Sequence, residues 1–166
     1  MSKFIKAAMA SSVLAASVMG ASAANAATAS ADARANILQQ VTVTNTSDLD
    51  FATIVAGAAA STVVVAPVTG TVGCGVGLVC SGTTTAAGFS LTGTTGETVT
   101  IATDPSVTLV NGTNSMTASL LSSAALHVIT GVAATDTFSV GGTLSVGAGQ
   151  ADGAYLGSFN VTVNYQ

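Results

Sequence analysis

From Tyr155 onward the chain alternates with period two, and this pattern restricts the possible fold more than any other feature. Tyr155, Phe159, Val161, Val163 and Tyr165 fall on odd positions, with Gly157 keeping the register, while Ser158, Asn160, Thr162 and Asn164 fill the even ones. Alternation over that length describes a strand with one face on a core and the other in water. Only Gln166 follows it. The expectation is that the C-terminus is used structurally, as in a building block, and not as a catalytic appendage.

The opposite end reads as a targeting segment. Lys3 and Lys6 form a basic region, residues 7–19 are apolar, and Ala24-Asn25-Ala26 has the A-x-A form of a cleavage site, with Ala21-Ser22-Ala23 as the alternative. A membrane anchor is the competing reading, but the run is short and rich in Ala and Ser against about 30 Å of hydrocarbon. No Cys lies near the site to suggest a lipid anchor. The expectation is therefore a signal peptide over 1–26 and an exported product, in the periplasm, on the cell surface or outside the cell. Residues 27–37 follow as an N-terminal extension or first strand, and residues 38–166 as one β-sandwich domain.

Charge narrows the partners. Without residues 1–26 the chain keeps one cation, Arg34, against seven acids: Asp32, Asp48, Asp50, Glu97, Asp104, Asp136 and Asp152, a balance of −6. Such a chain has no cationic surface to neutralise phosphates, so neither nucleic acid nor an anionic membrane is an expected partner. Disorder is not implied either, because the apolar residues are plentiful and patterned.

Cys74 and Cys80 bound the segment Cys-Gly-Val-Gly-Leu-Val-Cys. In an exported chain a close pair reads as a disulfide. A metal site would need further ligands nearby, and the single His is His127. Closing so short a loop contributes about 2.4 kcal/mol in the chain-entropy description. Glycines at 73, 75 and 77 let the backbone bend that tightly.

Between the ends, Thr, Val, Ser, Ala and Gly dominate, and β-rich runs alternate with turn-formers. Runs are expected over 37–44 (Ile37, Val41 and Val43 on one face), 51–55, 61–68, 88–92, 98–103, 106–110, 116–121, 126–130, 137–146 and 155–165. Gly93-Thr-Thr-Gly96 reads as a hairpin turn, Asn111-Gly112 as another, and Gly141-Gly142 as a bulge or bend. A short helix over 124–128 is an alternative to a strand there. Short strands in this number with turns between them predict an all-β fold, an antiparallel immunoglobulin-like or pilin-like β-sandwich. Phe51, Phe89, Phe138, Tyr155, Phe159 and Tyr165 are expected to fill its middle.

The chain carries little that could do chemistry. It has no G-x-S-x-G, H-E-x-x-H or P-loop. Gly147-Ala-Gly149 starts like a dinucleotide fingerprint, but Asp152 stands where the third glycine belongs. His127 in Leu126-His-Val128 could act as a base, and reads more simply as a strand residue. Asp48 and Asp50 could open a calcium loop, yet Thr53 occupies the glycine position and Ala59 the glutamate position. Asn45, Asn111 and Asn160 match a glycosylation sequon that chance produces in a Thr-rich chain. No catalytic residue, cofactor or metal is expected, and the chain is read as not an enzyme.

Several motifs carry a family resemblance. Leu49-Asp-Phe51-Ala-Thr-Ile54-Val-Ala-Gly57, Phe89-Ser-Leu-Thr-Gly93, Phe138-Ser-Val-Gly-Gly142-Thr-Leu144 and the stretch from Gly153 through Tyr155, Gly157, Phe159, Val161 and Val163 to Tyr165 resemble, in order, an exported bacterial family of unknown function, domain of unknown function 4402. The Cys74–Cys80 loop falls between the motifs. The C-terminal motif is also similar to spore coat protein U-like domains and to chaperone–usher pilins. Those pilins carry a glycine fourteenth from the end and a penultimate tyrosine, the places of Gly153 and Tyr165. Their sandwich lacks a strand, which a periplasmic chaperone and then the N-terminal extension of the next subunit supply.

The resemblance thus implies self-assembly and a periplasmic chaperone as partners, with residues 155–165 as the assembly strand. The candidate donor is the alternating set Ala27, Ala29, Ala31, Ala33, Ala35 and Ile37. Each alanine methyl contributes only about 0.8 kcal/mol on burial, so the segment is a light plug. The same residues also read as the domain's own first strand or as a loose leader. The expected function is a secreted, pilin-like structural subunit. The alternative is a monomeric adhesin or matrix-binding module with a complete sandwich. A small outer-membrane barrel is disfavoured, because the chain is poor in the aromatics that form its girdles.

Overall fold

The computed structural model describes residues 27–166. The signal-peptide reading concerns residues outside that range. Residues 27–35 belong to one compact unit and Asn36–Gln166, the body, to another. Among the described residues there is no helix, and every strand pairing is antiparallel.

The body holds β1 (Thr42–Ser47), β2 (Thr53–Val55), β3 (Ser61–Val65), β4 (Val72–Cys74), β5 (Val79–Ser81) and β6 (Ala87–Thr92). It continues with β7 (Thr98–Thr103), β8 (Ser106–Asn111), β9 (Asn114–Ser122), β10 (Leu126–Val128), β11 (Thr137–Val146) and β12 (Val161–Tyr165). One large sheet contains β1, β6, β11, β3 and β4, with β9 on the opposite edge of β11 and β8 beyond it. A second sheet has the order β10-β7-β12, and β2 pairs with β5. The arrangement is all-β, antiparallel and sandwich-like.

β11 organises the body. Its first residues, Thr137 to Val140, pair with β6, and from Gly142 to Val146 the same edge pairs with β3. The change of partner happens at Gly141, where any Cβ would run into the Val65 carbonyl and the Pro67 nitrogen. The bend expected from Gly141-Gly142 is thus a handover between two neighbours within an unbroken strand. A backbone can approach that closely only where there is no side chain.

Two cores follow from this division. In the first, Phe89 and Leu91 of β6 and Phe138 and Val140 of β11 face Val99 and Ile101 of β7 and Val163 of β12. Phe89 and Phe138 are direct cross-strand partners with stacked rings 5.1 Å apart. In the second, Val63 and Val65 of β3 and Leu144 and Val146 of β11 pack with Val107, Ala118 and Phe51. Leu49, Leu120 and Phe159 touch both.

Several expectations change. Gly93-Thr-Thr-Gly96 is not a hairpin turn, because β6 and β7 belong to different sheets. Phe89, Leu91, Val99 and Ile101 all point into one core, so their strands must face each other across it instead of lying side by side. Ile37 is almost fully exposed, and the first strand begins only at Thr42. β4 and β5 flank the cysteine loop, where sequence periodicity showed none. The Cys74–Cys80 disulfide is formed, with Cα atoms 6.0 Å apart. Because β4 pairs with β3 and β5 with β2, it ties the large sheet to the small one.

Candidate assembly surfaces

The C-terminal motif is extended but not a single ladder. Leu156 exchanges two backbone hydrogen bonds with Val110 of β8, and only from Val161 does pairing resume, now with β7. The segment follows β8 and then β7 around the corner at Pro105. Asp104 fixes that corner: its backbone N–H donates to the Asn160 carbonyl (3.0 Å), and its Oδ2 accepts from the Asn160 backbone N–H (2.8 Å) and from Asn160 Nδ2 (3.2 Å).

The motif's other residues each have a local reason. Gly157 lies against Thr108, whose carbonyl a Cβ would strike. Gly153 adopts φ +129° beside the Asn111 side chain. Tyr155 staples its own loop, its hydroxyl donating to the Ala151 carbonyl (2.9 Å) and accepting from Gln150 Nε2 (2.8 Å). Phe159 packs edge-on to Phe89, and Val163 is buried in the first core. Tyr165 ties the two ends of the body: its hydroxyl donates to the Gln39 carbonyl (2.6 Å) and accepts from the Thr94 N–H (2.8 Å).

β12 has an open side. The Asp104 N–H to Asn160 carbonyl and Gln166 N–H to Thr98 carbonyl bonds place even-numbered residues in hydrogen bonding with β7. In an antiparallel ladder the N–H and C=O groups of Val161, Val163 and Tyr165 then point away from it. Among the described residues no strand pairs with that side. β1 likewise pairs only with β6. Val43 shares a face with Val41, which touches the first core, yet remains 36% exposed.

At the N-terminus, residues 27–41 contain no strand, and Ala27, Ala29, Ala31, Ala33, Ala35 and Ile37 are all exposed. Arg34 contacts Asp32 at 3.4 Å, both side chains being largely in solvent. Such pairs contribute little. The candidate donor residues thus lie outside any strand, and β12 pairs on one side only, with β7.

A cleft of about 890 Å³ opens over the second core. Leu109, Met116, Leu144 and Val146 line it, together with the chain segments 48–56 and 149–156. Val55 and Leu156, on these two segments, are 58% and 75% exposed. Asp48, Asp50 and Asp152 also line it. Asp50 Oδ1 accepts the Ala52 N–H at 2.7 Å, and Ala52 takes φ +57°, a rare conformation for a residue with a side chain.

A polar cluster lies between β10 and β11. Asp136 is 1% exposed, and its Oδ1 lies 3.0 Å from His127 Nε2. The same oxygen accepts from the Thr130 N–H (2.8 Å) and hydroxyl (2.9 Å), while Oδ2 accepts from the Gly131 N–H (2.8 Å). Burial pushes the Asp136 carboxyl up, but the hydrogen bonds from His127, Thr130 and Gly131 outweigh it and hold the group well below the usual carboxylate range. The carboxylate locks the loop between β10 and β11. The one signal available was a lone His nine residues before an Asp.

Over residues 41–165 the sequence matches the model of a family described as Domain of unknown function (DUF4402). The chain belongs to that family. Comparison with curated proteins gives no match, and comparison with solved structures gives none. The match starts just before β1 and ends with β12, so the DUF4402 region covers the sandwich and leaves out the alanine arm.

Proposed function

We propose that this DUF4402 protein is a secreted structural subunit of the bacterial surface, pilin-like, whose copies join by β-strand addition. The observation that carries the reading is the pairing of two unfilled needs. Residues 27–37 alternate in sequence, lie outside any strand and are exposed, and among the described residues β12 and β1 each pair on one side only. Exposed edges are templates for another chain, and a protein that keeps them uses or guards them. A periplasmic chaperone that covers such an edge before assembly belongs to this reading.

The test is deletion of residues 27–37 followed by size-exclusion chromatography and electron microscopy. Polymers of the full-length protein that disappear on deletion, with a folded monomer remaining, are expected. A full-length protein that stays monomeric at every concentration would defeat the reading. One observation favours the alternative, a monomeric adhesin or matrix-binding module. The first core is already closed, with Leu91, Val99 and Val140 almost completely buried without an added strand.

A further inference from the structure

We infer that the cleft over the second core is a binding site for a small organic cation with an apolar body, a hydrophobic amine. The inference goes beyond the assembly reading, because a site of this kind needs one copy only.

The cleft is built in advance. Its walls are the segments 48–56 and 149–156, and Leu109, Met116, Leu144 and Val146 lie between them. Backbone hydrogen bonds hold both walls. The Gly149 N–H donates to the carbonyl of Gly57, directly after the first wall (2.9 Å), and so ties the two together. Asp50 and Thr85 exchange a pair of bonds (2.9 and 3.1 Å), as do Val110 and Leu156 (2.8 and 3.1 Å). Asn111 Nδ2 also donates to the Asp152 carbonyl at 3.0 Å. Walls fixed before a ligand arrives lose little on ordering.

Size and polarity set the body of the ligand. About 890 Å³ falls within the roughly 300–1,000 Å³ that small-molecule sites occupy. Leu109 and Met116 remain half-buried, and Val55 and Leu156 are exposed. An apolar body laid there covers surface that the fold leaves in water.

Charge sets the sign. The charged residues that line the cleft are Asp48, Asp50 and Asp152, all acids. Among the described residues none of them has an ion-pair partner, the salt bridges being Arg34 with Asp32 and His127 with Asp136. Asp50 keeps Oδ2 after Oδ1 has accepted the Ala52 N–H. Gln150 and Tyr155 are spent on each other and on the Ala151 carbonyl. Charges of one sign on low-dielectric walls concentrate their field in the opening. A neutral apolar ligand leaves that field unanswered, and an anionic one is repelled. An ammonium on an apolar body answers both the carboxylates and the exposed apolar lining.

The experiment titrates the ¹⁵N-labelled full chain at low salt with octylammonium, hexylammonium, octanol and octanoate, and follows backbone amide shifts by NMR. Saturable shifts with octylammonium on residues 48–56 and 149–156 are expected. Octylammonium should bind about tenfold more tightly than hexylammonium, for two more buried methylenes. Octanoate should bind at least about tenfold more weakly than octylammonium. Asp48→Asn and Asp152→Asn, whose carboxylates carry no hydrogen bond among the described residues, should each weaken octylammonium about threefold, while Glu97→Gln, outside the cleft, should not change it. Octanol binding as tightly as octylammonium, or Asn variants that bind unchanged, would overturn the cation. Equal affinities for the two amines would overturn the apolar body. Shifts spread equally to Glu97 and Asp104, or no saturable shift up to the millimolar range, would overturn the site itself.

Discussion

Replacing Asp136 by alanine removes the acceptor of four hydrogen bonds from a buried position. The donors left behind are His127 Nε2, the Thr130 N–H and hydroxyl, and the Gly131 N–H. Hydrogen bonds to an ionised group contribute about 1.5–3 kcal/mol each. They do not add here, because Thr130 and Gly131 are exposed and water can reach their groups once the loop relaxes. Removing one partner from a buried polar network costs about 3–5 kcal/mol, and that is the loss expected. Asparagine separates charge from shape. With its oxygen in the Oδ1 place it keeps three bonds, but its amide then meets the Gly131 N–H, donor against donor, for a loss of about 1–3 kcal/mol. His127→Ala leaves three donors on the carboxylate and should cost about 1–2 kcal/mol. Urea unfolding of the three variants, followed by far-UV circular dichroism, reads this order. The pH dependence has a fixed sign. The folded pKa of Asp136 lies below the unfolded value of about 3.9, so its stabilisation is complete above that value and is lost as pH falls towards the folded pKa. Stability of the natural protein should therefore fall below about pH 4, with a shallower slope for Asp136→Asn. An alanine variant within about 1 kcal/mol of the natural protein, or a His127→Ala loss as large as that of Asp136→Ala, would show that the carboxylate is not what holds this loop.

Other consequences can be measured on the same protein. Changing Cys74 and Cys80 together to serine should lower unfolding free energy by about 2.4 kcal/mol, read by urea titration. Gly141→Ala should destabilise by more than about 1–3 kcal/mol, since the new methyl meets backbone on β3 that cannot yield independently; loss of soluble yield and of the cooperative thermal transition are the readouts. Tyr165→Phe removes both bonds of one hydroxyl and should cost about 1–2 kcal/mol, with faster amide exchange at Thr94 as the local sign.

Much of the architecture was legible because strands write their burial into alternate residues. Phe89 and Leu91, Val99 and Ile101, and Phe138 and Val140 announced both their strands and their inward faces. Pairing was less legible. Nothing local in Gly93-Thr-Thr-Gly96 says whether the chain turns back within a sheet or crosses between sheets, since either course satisfies the same turn chemistry. The closing motif was read as one strand because its burial alternates throughout, whereas its hydrogen-bonding partner changes at the Pro105 corner, and burial carries no record of that. Ile37 was placed on a strand by its spacing from Val41 and Val43, and lies in solvent because no neighbour covers it. The cleft is the least legible feature. Its lining comes from chain segments about a hundred residues apart, and its three carboxylates mean little until the fold collects them.

β11 gives the body a further property. Its first half is a wall of one core and its second half a wall of the other, with no break at Gly141. Neither half can melt without dragging the shared strand out of the remaining one. The body should therefore open all at once or not at all, so that a copy held in a fibre would resist pulling as a unit instead of unravelling a hairpin at a time.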